Sequence, residues 1–315
     1  MYRKPVIIGL KSFRLNKFEK FIIKSQKPWG VILFKRNIQS FRQIKTLTNE
    51  IRKCINDSLY PILIDEEGGT VSRLNKLLNS KEFSQSFFGK IYKKDPKNGE
   101  FLYSYYLNSI CSVLNDVGVN INTIPVMDTL QKATHDIIKD RSFSKNIKIV
   151  KSLGKLCINI LKKNGIGSVI KHIPGHGCAN VDSHKKLPIV YKSLKKLYLE
   201  DFSAFKNLNS HFAMTAHVLY KKVDSTNPAS LSKKIINKII REKLNFNGLI
   251  ISDDISMKAL NKNFILNAHK ALNSGCNLVL HCNGKIYESS RLLKSVSRMD
   301  NFTEKKTRQF YAFLR

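Results

Sequence analysis

The sequence predicts an α/β protein whose eight parallel strands close into a single (β/α)8 barrel. Eight short apolar runs alternate with longer segments of helical period along the chain. These runs are apolar at nearly every position, which is typical of parallel strands buried on both faces. The length of 315 residues also falls within the roughly 200 to 400 residues of such TIM-type barrels. A doubly wound open sheet is the alternative, but no Gly-x-Gly-x-x-Gly motif follows the first run.

The predicted strands are spread evenly along the chain. They are PVIIGL (5–10), GVILF (30–34), PILID (61–65), VNINTIPVMD (119–128), GSVIKHIPG (167–175), FAMTAHVLY (212–220), GLIISDD (248–254) and NLVLHCNG (277–284). Helical segments separate them; between 146 and 165, Ile149, Leu153 and Ile160 recur at helical spacing before an Asn-Gly stop. No low-complexity linker divides the chain, so we expect a single barrel domain over residues 1–315.

The chain carries a large excess of positive charge. There are 55 Lys and Arg against 23 Asp and Glu, a formal net charge of +32. Such an excess attracts polyanions, so a basic nucleic-acid-binding protein is one alternative. The lysine pairs are scattered, however, and no basic run is interleaved with aromatic residues. We therefore expect no specific nucleic-acid partner.

The six cysteines and the apolar segments bear on the compartment. None of the cysteines forms a Cys-x-x-Cys pair, and most lie within apolar patterns where a free thiol packs as a small hydrophobic group. The amino-terminal apolar run is too short for a signal peptide, and no stretch is long enough to cross a bilayer. These features predict a cytoplasmic protein without a transmembrane segment.

Polar side chains follow four of the predicted strands where each strand ends. The segments ILIDEEGG, SVIKHIPGHG, MTAHVLY and IISDDIS all begin apolar and become polar toward their carboxyl ends. Active sites of (β/α)8 barrels are assembled from the loops at that end. The sequence therefore predicts a single pocket at the carboxyl-terminal rim.

Three histidines lie within KHIPGHGCANVDSHKKLP (171–188). His172 and His176 have the spacing that places two zinc ligands on one helix face, but Pro174 and the following glycine prevent a regular helix. We therefore expect no metal ion here. Lys171 and His172 fit better as hydrogen-bond donors to an oxygen-rich ligand, with a structural contact near the site as the alternative.

Asp182 and His184 form the other half of this stretch. Side chains two apart in an extended segment point the same way, so Asp182 can orient the imidazole and favour its charged form. A histidine with a pKa of ~6.5 gives and takes protons near neutral pH. An ordinary hydrogen bond within the loop explains the pair equally well.

Two acidic motifs complement the histidines. In ISDDIS, one of Asp253 and Asp254 is expected to face the barrel as a nucleophile or a charge stabiliser, while the other caps the next helix. In DEEGGTVSRL, Asp65 and Arg73 suit recognition of hydroxyl, amide or acid groups, or form an internal salt bridge.

Taken together, these motifs are recognisable. KHIPGHG followed by DSH and LP, with SDD-x-S-M further on, resembles the glycoside hydrolase family 3 β-N-acetylhexosaminidases of bacterial cell-wall recycling. GVILFKRNI (30–38), IDEEGGTVSRL, DRSFS (140–144) and MTAHVLY also fit. The resemblance covers about residues 6–284, and the combination of KHxPGHG with DSH is highly specific.

The resemblance implies a retaining β-N-acetylglucosaminidase that removes terminal N-acetylglucosamine from peptidoglycan fragments. The fragments are N-acetylglucosamine joined to anhydro-muramic acid, with or without peptide. It makes Asp253 the nucleophile of a covalent glycosyl-aspartate intermediate and His184 the acid/base, with Asp182 as its partner. The positions matching sugar contacts are Asp65, Arg73, Arg141, Lys171 and His172. We expect a monomer that acts on such a muropeptide or another small N-acetylglucosaminide, without cofactor or metal; a phosphorylase on the same fold is the alternative.

The chain departs from the family pattern at three positions. Thr70 stands where an arginine is common, Cys178 occupies the loop before the Asp-Ser-His motif, and Asn277 replaces a frequent aspartate. None of these changes removes a catalytic group. Thr70 is expected to alter the rim of the sugar pocket.

Overall fold

The computed structural model describes residues 3–131, 134, 136–183 and 185–315. Its strands are β1 (Lys4–Gly9), β2 (Pro28–Leu33), β3 (Ile62–Ile64), β4 (Ile121–Asn122), β5 (Gly167–Ile173), β6 (Ile189–Val190), β7 (Phe212–Thr215), β8 (Leu219–Tyr220), β9 (Leu249–Asp254) and β10 (Leu278–His281). Eight of them form a closed barrel in the order β1-β10-β9-β7-β5-β4-β3-β2, with every neighbour parallel. The predicted barrel is confirmed.

Helices surround the barrel. They are α1 (Lys17–Gln26), α2 (Phe41–Ile55), α3 (Gln85–Lys94), α4 (Pro96–Asp116), α5 (Asp136–Lys139), α6 (Ile147–Lys163), α7 (Leu194–Glu200), α8 (Phe264–Ser274), α9 (Ile286–Ser295) and α10 (Asn301–Phe313), with a π-helix at Ile235–Lys243. The segment predicted from its helical period is α6, which Asn146 caps by accepting from the Lys148 N–H. In the described part of the chain, no helix combines the length and apolarity needed to traverse a bilayer.

Each predicted apolar run overlaps one barrel strand, but the run 212–220 is divided. Its first part is β7, and the Ala216 N–H still bonds to Ile173 O at 2.9 Å. The chain then leaves the barrel, because Leu219 N donates to Pro188 O and pairs β8 with β6 instead. Apolar character alone does not separate these two pairings.

Both faces of the barrel strands are buried, which explains their continuous apolar character. In β1, Ile7 packs in the barrel interior, whereas Val6 and Ile8 pack in the outer layer against the helices. In β3, Leu63 is interior and its neighbours on each side face outward. Successive side chains of a strand point to opposite faces, so apolar residues are needed at every position.

The amino-terminal end of the barrel is closed by α10. The ring of Phe310 packs edge-on against Phe212, with centroids 4.9 Å apart, and Phe212 in turn meets Trp29 at 5.5 Å. The indole Nε1 of Trp29 donates to Thr307 Oγ1 at 2.9 Å. An apolar plug therefore fills this end, and the polar strand ends lie at the other.

Replacing Phe310 with alanine should lower the free energy of unfolding by ~3–5 kcal/mol, because the ring is fully buried and leaves a cavity. Chemical denaturation measures the change. Gln309→Ala, on the exposed face of the same helix, is the matched control and should change little. Equal stability of the two variants would show that α10 does not close the barrel.

Candidate active site

A cavity of about 380 Å³ opens at the carboxyl-terminal ends of the strands. Its lining side chains include Phe34, Asp65, Glu67, Arg73, Arg141, Lys171, His172, Met214, Asp253, Asp254, Met257 and Cys282. A second cavity of about 440 Å³ lies beside α10 at the opposite end, where His211 and Lys306 are the ionisable groups among its described lining residues. The concentration of charge therefore distinguishes the first cavity as the candidate site.

Asp65 extends from the end of β3 and is held by two cations. Its Oδ2 accepts from Arg73 Nη2 at 2.9 Å, and its Oδ1 accepts from the Thr123 hydroxyl. The ammonium of Lys171 lies 3.5 Å from Oδ1. Burial would raise the pKa of Asp65, but Lys171 and Arg73 outweigh it and hold that pKa well below its usual value. Asp65 is therefore an ionised acceptor at the cavity wall.

Glu67 bridges Lys171 and Arg141, and the sequence reasoning did not single it out. Its Oε1 accepts from Lys171 Nζ at 2.5 Å and from Arg141 Nη2 at 2.9 Å, while Oε2 accepts from Arg141 Nε at 2.7 Å. Burial would raise the pKa of Glu67, but both cations lower it to about 2. Buried cations need carboxylate partners. The prediction of Arg73, Arg141 and Lys171 at one site could therefore have indicated that a second carboxylate beside Asp65 was needed.

Glu66 holds the loop that carries Arg73. Its Oε2 accepts from the backbone N–H of Arg73 at 2.7 Å and of Leu74 at 2.9 Å, and the Ser72 and Ser80 hydroxyls donate to the same carboxyl group. Burial raises the pKa of Glu66 despite these bonds. The loop is thus folded around one buried acid, which places the guanidinium of Arg73 beside Asp65.

His172 is oriented by Asp128, a second carboxylate that the sequence reasoning missed. The imidazole Nδ1 lies 2.7 Å from Asp128 Oδ2, and the His172 backbone N–H donates to Oδ1 at 3.1 Å. Burial would raise the pKa of Asp128, but its contacts with the histidines lower it. The Nε2 of His172 lies 3.4 Å from Arg141 Nη2, and both side chains line the cavity.

The two carboxylates at the end of β9 have different surroundings. Asp254 Oδ1 accepts from the N–H of Ser256 at 3.0 Å and from its hydroxyl at 2.8 Å, with the Cys282 N–H at 3.3 Å. Asp253 Oδ1 accepts from the Asp254 N–H at 2.8 Å, and its side chain lines the cavity. Asp254 also lines the cavity but is tied to the following turn, which leaves Asp253 as the carboxylate to consider for chemistry. The prediction that one of the pair caps the next helix is wrong, because the chain after β9 forms a turn and Asn263 caps α8 at Phe264.

The loop after β5 is anchored at its beginning by buried carboxylates. The His176 N–H donates to Asp128 Oδ1 at 2.7 Å, and the Gly177 N–H donates to Asp201 Oδ2 at 2.8 Å. The Thr134 hydroxyl donates to Gly177 O at 2.6 Å. Burial lowers the pKa of His176 to about 4, so its ring is neutral at physiological pH. The backbone N–H of His176 therefore helps to anchor this loop.

The predicted acid/base pair lies further along this loop. Asp182 is buried, and its backbone carbonyl accepts from the N–H groups of Lys185 and Lys186 at 3.0 and 3.2 Å. Ser183 Oγ lies 3.3 Å from His176 Nε2. His184 lies outside the described residues, so its predicted role rests on the sequence.

The residues predicted from the sequence thus fall into two groups. The structure brings six of them to the wall of the cavity, namely Asp65, Arg73, Arg141, Lys171, His172 and Asp253. Asp182 belongs to the loop beside it and is absent from the described lining. Within the described ranges, no group of three or more His, Cys, Asp or Glu side chains is arranged to hold a metal ion.

Two of the three departures from the family pattern, Thr70 and Cys178, are absent from the described cavity lining, although Thr70 precedes the lining residue Val71. Thr70 is exposed, and its N–H lies 3.4 Å from Asp140 Oδ2. Cys178 packs at the base of the loop, where Lys192 Nζ lies 3.6 Å from its Sγ. Burial raises the pKa of the Cys178 thiol to about 12, so the group is neutral.

Asn277 occupies the opposite end of the barrel. Its Oδ1 accepts from Arg241 Nη2 at 2.8 Å and from the Ile250 N–H at 2.9 Å, while its Nδ2 donates to Thr303 Oγ1 at 3.0 Å. Burial lowers the pKa of Arg241 to about 10. The departure therefore affects packing beneath the barrel and leaves the cavity unchanged.

Asn277→Asp should raise the free energy of unfolding by about 1 kcal/mol, because a carboxylate forms a charge-assisted bond with the buried guanidinium of Arg241. The Thr303 hydroxyl can reverse its role and donate to the new oxygen. Thermal and chemical denaturation measure the gain, and Asn277→Ala is the control that leaves Arg241 without this acceptor. A less stable aspartate variant would show that desolvation outweighs the pairing.

Comparison with known proteins adds to this geometry. The family model described as "Glycosyl hydrolase family 3 N terminal domain" matches residues 6–309. The chain is 32% identical to a β-hexosaminidase of Psychromonas ingrahamii, over 98% of this chain and 89% of that protein.

Solved structures are similar as well. NagZ of Neisseria gonorrhoeae, solved in complex with N-trifluoroacetyl-D-glucosamine, matches with a TM-score of 0.88 and 30% identity, over 100% of this chain and 90% of that one. A family 3 β-N-acetylglucosaminidase of Paenibacillus matches with a TM-score of 0.87 and 25% identity. The match covers 98% of this chain and 60% of the Paenibacillus chain.

Proposed function

This chain belongs to glycosyl hydrolase family 3 and is a β-N-acetylhexosaminidase, and we propose that it releases terminal N-acetylglucosamine with retention of anomeric configuration. The observation that carries the proposal is the cavity that Asp253 shares with the Asp65–Arg73 pair and with the Glu67 cluster of Lys171 and Arg141. This arrangement offers one carboxylate for chemistry and a separate set of donors and acceptors for binding.

The shape and charge of the cavity suit a single sugar. Its volume of about 380 Å³ lies near the lower end of small-molecule sites, which range over ~300–1,000 Å³. Ionised Asp65 can accept from sugar hydroxyls, while the guanidinium of Arg73 can donate. The relative from Neisseria gonorrhoeae holds an N-acylated glucosamine, which supports N-acetylglucosamine as the occupant.

In the first chemical step, a carboxylate oxygen of Asp253 attacks the anomeric carbon. The bond between that carbon and the departing oxygen breaks, and protonated His184 gives its proton to the leaving oxygen. Retaining glycosidases normally use two carboxyl groups ~5–5.5 Å apart for this work. Here an imidazole takes the place of one, with Asp182 favouring its charged form.

In the second step, water replaces the leaving group. The water oxygen attacks the anomeric carbon while His184 accepts a proton from that water. The ester bond between the sugar and Asp253 then breaks. The sugar leaves with its original configuration after two inversions. Closure of the loop over the bound sugar would exclude water during the first step and allow release afterwards.

The proposed substrates are peptidoglycan fragments in which N-acetylglucosamine is joined to anhydro-muramic acid, with or without peptide. The family resemblance of the KHIPGHG and DSH motifs supports this choice. A cytoplasmic location is proposed with it, since all six cysteines are free thiols, as in reducing compartments.

Hydrolysis of a chromogenic β-N-acetylglucosaminide, followed by proton NMR, tests the activity and its stereochemistry. The first-formed sugar should be the β-anomer, and an α-anomer would exclude the double-displacement mechanism. The same reaction in phosphate buffer should yield free N-acetylglucosamine. Formation of the sugar 1-phosphate would identify a phosphorylase instead.

Glu67→Gln should lower kcat/KM on the order of 10²-fold, because small displacements of binding groups have effects of this size. The glutamine amide removes the negative charge between Lys171 and Arg141. Its NH2 group replaces one carboxylate oxygen and cannot accept a hydrogen bond from either cation. We expect weaker substrate binding as the main effect, measured by steady-state kinetics.

The matched control is Glu82→Gln, an exposed acid on the same loop. It should leave kinetics and thermal stability unchanged. If the Glu67 variant folds and retains wild-type kinetics, Glu67 has no positioning role. Thermal denaturation of both variants separates this result from a loss of folded enzyme.

A further inference from the structure

An apolar groove of about 390 Å³ lies on the outside of the barrel between α3, α4 and the loop that precedes α3. Its wall includes Leu78, Phe83, Phe87, Leu102, Tyr105 and Tyr106. The rings of Phe83 and Phe87 meet edge-on with centroids 5.8 Å apart, and Phe83 contacts Tyr106 at 5.5 Å. Aromatic rings thus line a preformed depression, which we call the aromatic groove.

The groove is bordered by aromatic side chains that face solvent. Phe101 and Tyr105, one helical turn apart on α4, are 67% and 71% exposed. Phe83, Phe87 and Leu102 are each more than a third exposed. A contiguous exposed apolar patch on a protein surface marks an interaction site more often than isolated residues do.

The surface around the groove is basic. Residues 76–110 contain six lysines and three acidic residues, and all six of those lysines are exposed. Lys90 lies one turn beyond Phe87 on α3, and Lys97 lies one turn before Phe101 on α4. Positive charge therefore flanks the aromatic rings on both helices.

We propose that the aromatic groove and its lysines are a docking surface for an anionic lipid bilayer. Aromatic and aliphatic side chains enter the boundary between headgroups and acyl chains, while lysines attract acidic headgroups. The net charge of +32 adds a long-range attraction of the whole protein to an anionic bilayer. This combination matches a lipid surface in both its apolar and its charged parts.

The groove is connected to the loop that forms one side of the cavity. Leu78 and Ser80 line the groove, and the Ser80 hydroxyl donates to Glu66, which also accepts from the N–H of Arg73. Docking would therefore hold the protein by the same loop that carries a wall residue of the cavity. The proposal does not depend on the proposed reaction, since no groove residue named above lines the cavity.

Flotation of the full chain with vesicles tests the proposal. Wild-type protein should bind vesicles of phosphatidylcholine and phosphatidylglycerol in equal parts, and should not bind phosphatidylcholine alone. Phe101→Ser with Tyr105→Ser should weaken binding on the order of tenfold or more, because the exposed rings no longer enter the bilayer. Lys90→Gln with Lys97→Gln should weaken binding severalfold and reduce its dependence on salt.

The chain offers a matched aromatic control. Phe21 and Tyr287, on α1 and α9, are 60% and 73% exposed, so Phe21→Ser with Tyr287→Ser removes similar exposed rings elsewhere. This control should bind vesicles like wild type, and Lys233→Gln with Lys234→Gln is the corresponding charge control.

Three outcomes would overturn the proposal: no binding of wild type to anionic vesicles, undiminished binding of the Phe101/Tyr105 variant, or equal loss in the aromatic control. Hydrolysis of a soluble chromogenic substrate provides a separate measurement. The groove variants should retain wild-type activity in solution, so failed vesicle binding and failed catalysis are distinguishable.

Discussion

Asp253→Ala is expected to reduce kcat on the order of 10⁴-fold or more, the scale seen when a catalytic nucleophile is removed. The carboxylate lines the cavity at the end of β9, where the methyl group of alanine cannot attack the anomeric carbon. Steady-state hydrolysis of a chromogenic β-N-acetylglucosaminide measures the loss. Fold integrity is checked by thermal denaturation, since an unfolded variant would lose activity for another reason.

Covalent trapping separates Asp253 from its neighbour. A fluorinated sugar that slows the second step should label wild-type protein at Asp253, and Asp253→Ala should not be labelled. Asp254→Asn is the control, because Asp254 accepts from Ser256 and Cys282; it should still be labelled at Asp253. Mass-spectrometric localisation of the label to Asp254 would reverse the assignment.

His184→Ala should slow turnover by ~10²–10⁴-fold for substrates with poor leaving groups, the usual contribution of general acid catalysis. An aryl glycoside with an activated leaving group needs less protonation, so its first step should be partly spared. Comparison of kcat/KM for a natural disaccharide and an activated aryl substrate measures the difference.

The control for this variant is Asp182→Asn, which keeps the imidazole and weakens its charged form. It should show the same dependence on the leaving group with a smaller loss. Equal losses for both substrates in His184→Ala would contradict the acid role, because a general acid matters most where the leaving group is poor.

The fold was predictable because its physical requirement is repeated eight times. Parallel strands buried on both faces need apolar side chains at every position, and Ile7 with its outward neighbours Val6 and Ile8 shows the consequence. The division of the run 212–220 into β7 and β8 was not predictable. The chain leaves the barrel after β7 because the Leu219 N–H donates to Pro188 O, a residue far away in the sequence.

The candidate site was predictable in part for a related reason. Polar residues at the ends of buried strands are costly unless they serve a site or are paired, and this rule identified Asp65 and the pair Asp253 and Asp254 from short motifs. The family resemblance then singled out Asp253. Glu67 and Asp128 were missed because their importance comes from partners far along the chain. Glu67 meets Arg141, and Asp128 meets His172; no local pattern encodes those pairs.

The amino-acid sequence alone determined the succession of strands and helices, the end of the barrel where polar groups collect, and the family resemblance. These properties follow from local composition and from short motifs. Tertiary structure decided which charges pair, that Asp254 is tied to the turn after β9, and that Asn277 lies beneath the barrel. The physical reason is that an ion pair depends on separations of a few ångströms between residues that folding alone brings together.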